Sequence, residues 1–135
     1  MKNLYLILAV TTLLLSLNAE PIDAKSDSLV GKWESISGEM NGVKFDKTTK
    51  TFIEFDKEKM TLNGGAAVDY SVDHNKTSAT IDIIANPKQV GIFKFENGEL
   101  HLCIGKEGHR PTQFKSDNSD DCVFLVMRKI VVDQK

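Results

Sequence analysis

The chain carries little net charge, and its acidic and basic residues are interleaved. Lys and Arg total 17 and Asp and Glu total 19, so the formal net charge is −2 at pH 7. Nucleic-acid-binding domains usually show a basic patch or stripe, and anionic membrane surfaces attract clustered cations. The charge pattern therefore gives no reason to expect a nucleic-acid partner or binding to an anionic membrane surface.

The motifs of common catalytic sites are also missing from the sequence. There is no Gly-x-Ser-x-Gly nucleophile elbow and no glycine-rich phosphate loop. Only three histidines occur, at His74, His101 and His109, each beside a turn or on a presumed outer strand face. Acids are numerous, but no two are singled out as a catalytic pair. The sequence predicts a protein that is not an enzyme and has no cofactor.

Cysteine is scarce, with Cys103 and Cys122 as the two examples. An even count in an exported chain favours a disulfide, and we expect one between these residues. The alternative is a pair of buried thiols that pack as small apolar side chains. With His101 and His109 they could form a zinc site, but export favours oxidation, so no metal is predicted.

One long apolar run occurs, at residues 4–17, after a short basic start. Its length and the small residues Ala19 and Ala24 after it are typical of a secretory signal peptide, although a buried N-terminal helix is the alternative. We predict that residues 1–24 are a signal peptide and flexible lead-in and that residues 25–135 form one domain. The protein would be secreted or periplasmic, monomeric, and without an integral membrane span after processing.

The remaining chain reads as eight or nine short strands separated by turn signals. Asn-Gly pairs at residues 41–42 and 97–98 mark tight hairpins. Alternation places Ile81 and Ile83 on an inner face and Asp82 outside. Regular turn spacing with few crossovers predicts an all-β fold, an eight-stranded antiparallel up-and-down barrel. The segment around Trp33, the single tryptophan, is expected to form the first strand and close one end of the barrel.

Gly31 and Trp33 on a first strand, with Arg128 near the end, resemble the lipocalin and calycin arrangement. That resemblance implies an arginine stacked on the tryptophan, a cation–π contact, and structural roles for all three residues. A closer resemblance is to a lipocalin-like domain family of unknown function found in exported planctomycete proteins. It implies a fold, export and a surface motif, but no ligand or activity. The motifs that carry it are Leu29-x-Gly31-x-Trp33, Thr80-Ile81-Asp82, Gly91-Ile92-Phe93, Leu100-His101-Leu102-Cys103, Arg110-Pro111-Thr112-x-Phe114 and Arg128; Thr77-Ser78-Ala79 replaces a proline that the family usually has.

We therefore expect an exported, non-enzymatic binding module for a small apolar ligand that enters opposite Trp33. The candidate ligand-binding residues are Tyr70 and Phe93 in the interior and Arg110 and Phe114 in the longest loop. Arg110 could instead be structural, paired with Glu107, Asp82 or a terminal carbonyl. The alternative function is a protein-interaction module, a periplasmic inhibitor or immunity-like protein, that acts through loops 46–50 and 105–121. A cavity of several hundred cubic ångströms would favour the small ligand.

Overall fold

A computed structural model describes residues 29–45, 50–74, 78–116 and 121–131. The predicted signal peptide and lead-in, residues 1–24, lie outside the described residues. No helix within the described ranges is long and apolar enough to span a bilayer. Nine strands lie in these ranges: β1 Gly31–Met40, β2 Val43–Phe45, β3 Phe52–Phe55, β4 Lys59–Leu62, β5 Ala67–Asp73, β6 Ala79–Ile84, β7 Gln89–Glu96, β8 Glu99–Lys106 and β9 Val123–Lys129.

The sheet closes on itself because the first long strand pairs with the last. From β4 to β9 each strand pairs antiparallel with the one before it, and β1 pairs with both β3 and β9. The short strand β2 pairs with the end of β1 at Gly38–Met40, on the edge opposite β9, so it extends the wall on the β3 side. The predicted eight-stranded antiparallel up-and-down barrel is confirmed.

Asn-Gly turns join the strands at both ends of the barrel. Asn41 and Gly42 have φ of 52° and 80°, and Asn97 and Gly98 have φ of 54° and 79°. Two consecutive positive φ angles define the type I′ turn, whose twist matches the flanking strands, and asparagine and glycine adopt them at the lowest cost. Both predicted hairpin turns are confirmed. The first strand, expected around Trp33, spans Gly31–Met40, with a bulge between Ser35 and Ser37.

The barrel interior is lined by alternate residues of the strands. On β6, Ile81 and Ile83 are buried and Asp82 lies outside, as the alternation predicts. On β3 the inner residues are Ile53 and Phe55. The core cluster consists of Leu29, Trp33, Ile53, Phe55, Met60, Tyr70, Ala79, Ile81, Ile83, Phe93, Leu100, Leu102, Leu125 and Met127.

A second, smaller apolar cluster lies on the outside of the barrel. Ile92 of β7 and Cys103 of β8 are covered by Cys122, with Phe114 and Phe124 packed beside them. The chain between β8 and β9 therefore folds back over the outer wall, and burial of its apolar side chains holds it there.

Ser116 fastens this outer segment to the β1–β2 turn. Its hydroxyl donates to the Cys122 carbonyl at 2.5 Å and accepts from the Asn41 amide at 3.0 Å. Its own amide donates to Glu39 Oε1 at 2.8 Å. A buried serine hydroxyl that is hydrogen-bonded in this way fixes the direction of the segment rather than destabilising it.

The predicted disulfide is wrong for this structure. Cys103 and Cys122 are both described and both buried, but their sulfur atoms are 4.0 Å apart and no bond joins them. The Lys115 carbonyl oxygen lies 3.5 Å and 3.6 Å from the two sulfurs, where each thiol can donate to it. The pair thus behaves as the alternative described above, two thiols packed in an apolar cluster.

Candidate functional site

The two ends of the barrel differ, and Trp33 closes one of them. Its side chain is 3% exposed, and its indole Nε1 donates to the Leu29 carbonyl at 2.8 Å. Phe95 packs against it with ring centroids 6.0 Å apart. A large aromatic side chain with its N–H satisfied can fill a barrel end without leaving a buried donor unpaired. The predicted role of Trp33 at a closed end agrees with this geometry.

The cation over the indole is Lys129 instead of the expected Arg128. Lys129 Nζ lies 5.5 Å from the Trp33 ring centroid, opposite Trp33 in the β1–β9 ladder. Gly31, with φ of 138°, leaves room for it, since a Cβ there would overlap the lysine side chain. Arg128, the residue before Lys129, pairs with Glu34 instead, and its Nη2 donates to Glu34 Oε2 at 3.0 Å. The expectation of an arginine stacked on Trp33 is therefore corrected.

A cavity of about 500 Å³ occupies the opposite end of the barrel. That end contains Met40 and Val123, which are paired at the far end of the β1–β9 ladder from Trp33. Ligand pockets in proteins typically range from about 300 to 1,000 Å³. The lining residues are Met40, Phe45, Thr51, Ile53, Met60, Leu62, Asn63, Gln89, Ile104, Gly105, Lys106, Asp121, Val123 and Leu125.

The residues that line this cavity differ in their exposure to solvent. Ile53, Met60 and Leu125 are buried and form its floor. Met40 and Leu62 are 46% and 49% exposed and stand at the rim. The floor can hold an apolar group away from water, because apolar surface gains free energy when it leaves water.

The charged lining residues are Lys106 and Asp121, which form an ion pair at the rim. Lys106 Nζ donates to Asp121 Oδ2 at 2.8 Å, and the two side chains are 58% and 65% exposed. This hydrogen bond, together with the lysine charge, lowers the pKa of Asp121. Exposed ion pairs contribute little to stability, so their partners exchange easily with an incoming group.

The four predicted ligand-binding residues do not come together at this cavity. Phe93 is fully buried in the core, and its ring lies 6.0 Å from that of Phe95 near the closed end. Tyr70 is also buried; it packs edge-on against Phe55, and its hydroxyl donates to the Asp56 carbonyl at 2.6 Å. Neither side chain is among the cavity lining.

Arg110 lies on the outer wall, where it joins the outer segment to two strands. Its Nη2 donates to Asp82 Oδ1 at 2.7 Å, and its Nη1 donates to the carbonyls of Gly91 and Ile81 at 2.9 and 3.3 Å. Burial opposes ionisation of Asp82, but the hydrogen bond and charge of Arg110, with Lys88, lower the pKa of this carboxyl. The pairing of Arg110 with Asp82 agrees with the structural interpretation.

Phe114 packs against the outer wall beside Arg110's segment. Its ring lies 6.4 Å from that of Phe124, and Lys94 Nζ is 4.6 Å from its centroid. The sequence did not indicate that this aromatic residue belongs to an outer cluster, because a loop phenylalanine can cover either a barrel mouth or a wall.

Metal ligation has no candidate cluster in the part of the chain that the structure describes. No group of three or more His, Cys, Asp or Glu side chains is placed there to hold an ion. His101 was one of the zinc candidates considered above. Its Nε2 lies 3.7 Å from Glu99 Oε1, and its ring packs beside Phe124.

The cavity residues themselves were missed at the level of sequence, although a signal was present. Inward positions on each strand follow from alternation, and those nearest the Asn41–Gly42 end belong to one mouth.

No protein-family model, no curated protein and no solved structure matches this chain. The resemblance to a lipocalin-like family in exported proteins accordingly stays a prediction.

Proposed function

We propose that the protein is a non-enzymatic binding module that holds a small apolar ligand in the open end of its barrel. The supporting observation is the cavity of about 500 Å³ with a floor of Ile53, Met60 and Leu125. An eight-stranded barrel can either fill its interior with side chains or hold one small ligand. Here the closed half is filled, and the half that contains Met40 and Val123 leaves space.

The second candidate is a protein-interaction module, and one observation favours it. Met40, Val43 and Leu62 are 46%, 67% and 49% exposed, and they lie around the same mouth. Exposed apolar residues that group together often mark a contact with another protein. Of the loops proposed for this role, residues 46–49 and 117–120 lie outside the described residues, while Arg110, Phe114 and Ser116 of the second loop contact the barrel wall.

A bulky substitution inside the cavity tests the ligand-binding proposal. Val123 lines the cavity on β9, and Val126 on the same strand faces outward. We expect Val123→Trp to weaken binding of the uncharged apolar dye N-phenyl-1-naphthylamine by at least about tenfold, because the indole takes the ligand's volume. The matched control, Val126→Trp, should bind the dye like the unmodified protein.

Fluorescence titration of the dye gives the dissociation constants, and circular dichroism shows that both variants fold. Failure of the unmodified protein to bind the dye, or equal binding by the two variants, would remove the support for a ligand site at this mouth. The interaction module would be favoured by two results together: the unmodified protein binds a protein partner but no dye, and Leu62→Glu no longer binds that partner.

A further inference from the structure

The chemical character of the cavity changes along its axis, and this bears on the kind of ligand. The floor residues are apolar, whereas the opening carries the polar residues Asn63, Gln89, Lys106 and Asp121 beside the exposed apolar residues Met40 and Leu62. A wholly apolar ligand would leave its outer end against these polar side chains. A ligand with an apolar body and one polar head would match both regions, because each part then meets groups of its own kind.

Lys106 is a cation at the rim that can bind an anionic head. It follows Leu100, Leu102 and Ile104 in the inward series of β8, so it stands at the rim on the cavity side. Its ammonium has three N–H donors, and Asp121 takes one of them at 2.8 Å. The lysine can therefore donate to a second anionic group without giving up the first.

Asn63 adds a second donor to the rim. Its Oδ1 accepts a hydrogen bond from the Phe52 amide at 2.8 Å. Its amide group, the NH₂, remains as the part that can face a ligand, and this group only donates. A head made of acceptor oxygens is thus better matched than a head made of N–H donors.

We propose that the ligand is an amphipathic carboxylate whose chain lies on the floor of Ile53, Met60 and Leu125 and whose carboxylate binds Lys106. This inference rests on the proposed ligand-binding function and specifies its ligand class. The carboxylate shares the ammonium with Asp121, so the negative charge of Asp121 opposes binding. Removing that charge strengthens binding, and removing the lysine abolishes the preference for an anionic head.

Three probes of equal chain length test the proposal: decanoate, 1-decanol and decylammonium, each competing with N-phenyl-1-naphthylamine at pH 7. The unmodified protein should bind decanoate about threefold to fivefold more tightly than decanol, the range expected for an exposed ion pair. Lys106→Gln should bind the two equally, and Asp121→Asn should bind decanoate more tightly still. The preference should shrink as salt is added.

Lys59 and Asp69 provide the matched control. They form an exposed ion pair at 2.6 Å, with side chains 52% and 62% exposed, and neither residue lines the cavity. Lys59→Gln and Asp69→Asn should leave all three affinities unchanged.

The possible failures are distinguishable. Equal binding of decanoate and decanol by the unmodified protein, or tightest binding of decylammonium, overturns the carboxylate proposal and leaves the ligand-binding function standing. An unchanged preference in Lys106→Gln also overturns it, since the anion would then be held elsewhere. Failure of all three probes to displace the bound dye overturns the carboxylate proposal alone, whereas failure of the dye itself to bind overturns both proposals.

Discussion

At the scale of single residues, Trp33 makes three kinds of interaction at the closed end of the barrel. Its indole fills the closed end and donates to the Leu29 carbonyl, and the stem of Lys129 crosses above it through the space that Gly31 leaves open. Apolar burial, one satisfied donor and one cation–π contact therefore meet at one side chain.

Replacing this side chain should be costly. We expect Trp33→Ala to lower the free energy of unfolding by about 3 to 5 kcal/mol, because it leaves a cavity where the indole was and removes the packing against Phe95. Urea denaturation followed by circular dichroism measures the change. Phe52→Ala, at a half-buried aromatic residue on the outer wall, should cost less. An unchanged denaturation midpoint in Trp33→Ala would contradict this account of the closed end.

At the scale of elements, the segment between β8 and β9 is held to the wall by a few specific contacts. Arg110 bonds to Asp82 and to two strand carbonyls, while Ser116 bonds to the β1–β2 turn. Of the partners considered for Arg110 from the sequence, Asp82 is present, and the two carbonyls that Arg110 binds, those of Ile81 and Gly91, lie within strands. Which strands supply these carbonyls depends on the register of β6 and β7, which places Ile81 opposite Gly91.

The Asp82–Arg110 contact predicts a pH dependence of stability. The pKa of Asp82 lies below its ordinary 3.8 in the folded protein, so the folded state favours the ionised carboxyl. Its contribution is fully present above the unfolded pKa and is lost as pH falls through the lower folded pKa. The stability difference between the unmodified protein and Asp82→Asn should thus be largest near neutral pH and shrink below about pH 4.

Urea denaturation at a series of pH values measures this difference. The same comparison in an Arg110→Gln background should give a shallower dependence, because the main cationic partner is gone. A difference that stays constant down to about pH 2 would show that Asp82 contributes nothing through its charge.

At the scale of the whole molecule, closure of the barrel joins its two unlike ends. The ladder between β1 and β9 runs from Trp33 and Lys129 at the closed end to Met40 and Val123 at the cavity. Every strand of the closed barrel is hydrogen-bonded on both sides. The strands at either end therefore cannot separate without breaking hydrogen bonds to their neighbours around the barrel.

We therefore expect the two ends to unfold together. Trp33 fluorescence reports the closed end, far-ultraviolet circular dichroism reports all strands, and their urea transitions should coincide, as in two-state unfolding. A reporter at the cavity, the bound dye, should be released over the same range or earlier. Two separated transitions of fluorescence and circular dichroism would show that one end unfolds independently.

Much of the fold was predictable because its signals are local. Alternation set Ile81 and Ile83 inside and Asp82 outside, and the Asn41–Gly42 and Asn97–Gly98 pairs placed hairpin turns through their own backbone preferences. The candidate site was less predictable. Tyr70 and Phe93 were correctly expected to be buried, but their depth along the barrel, which separates them from the cavity, depends on the stagger between neighbouring strands.

The amino-acid sequence by itself determined the antiparallel strand succession, the turns and the inner face of most strands, because each depends on neighbouring residues. Only the tertiary structure decided that Lys129 covers Trp33, that Cys103 and Cys122 stay 4.0 Å apart as thiols, and that about 500 Å³ remains empty beside Leu125. These outcomes depend on how side chains from distant strands pack across the closed barrel. That packing is set by the register of the strands together with the volumes of the side chains.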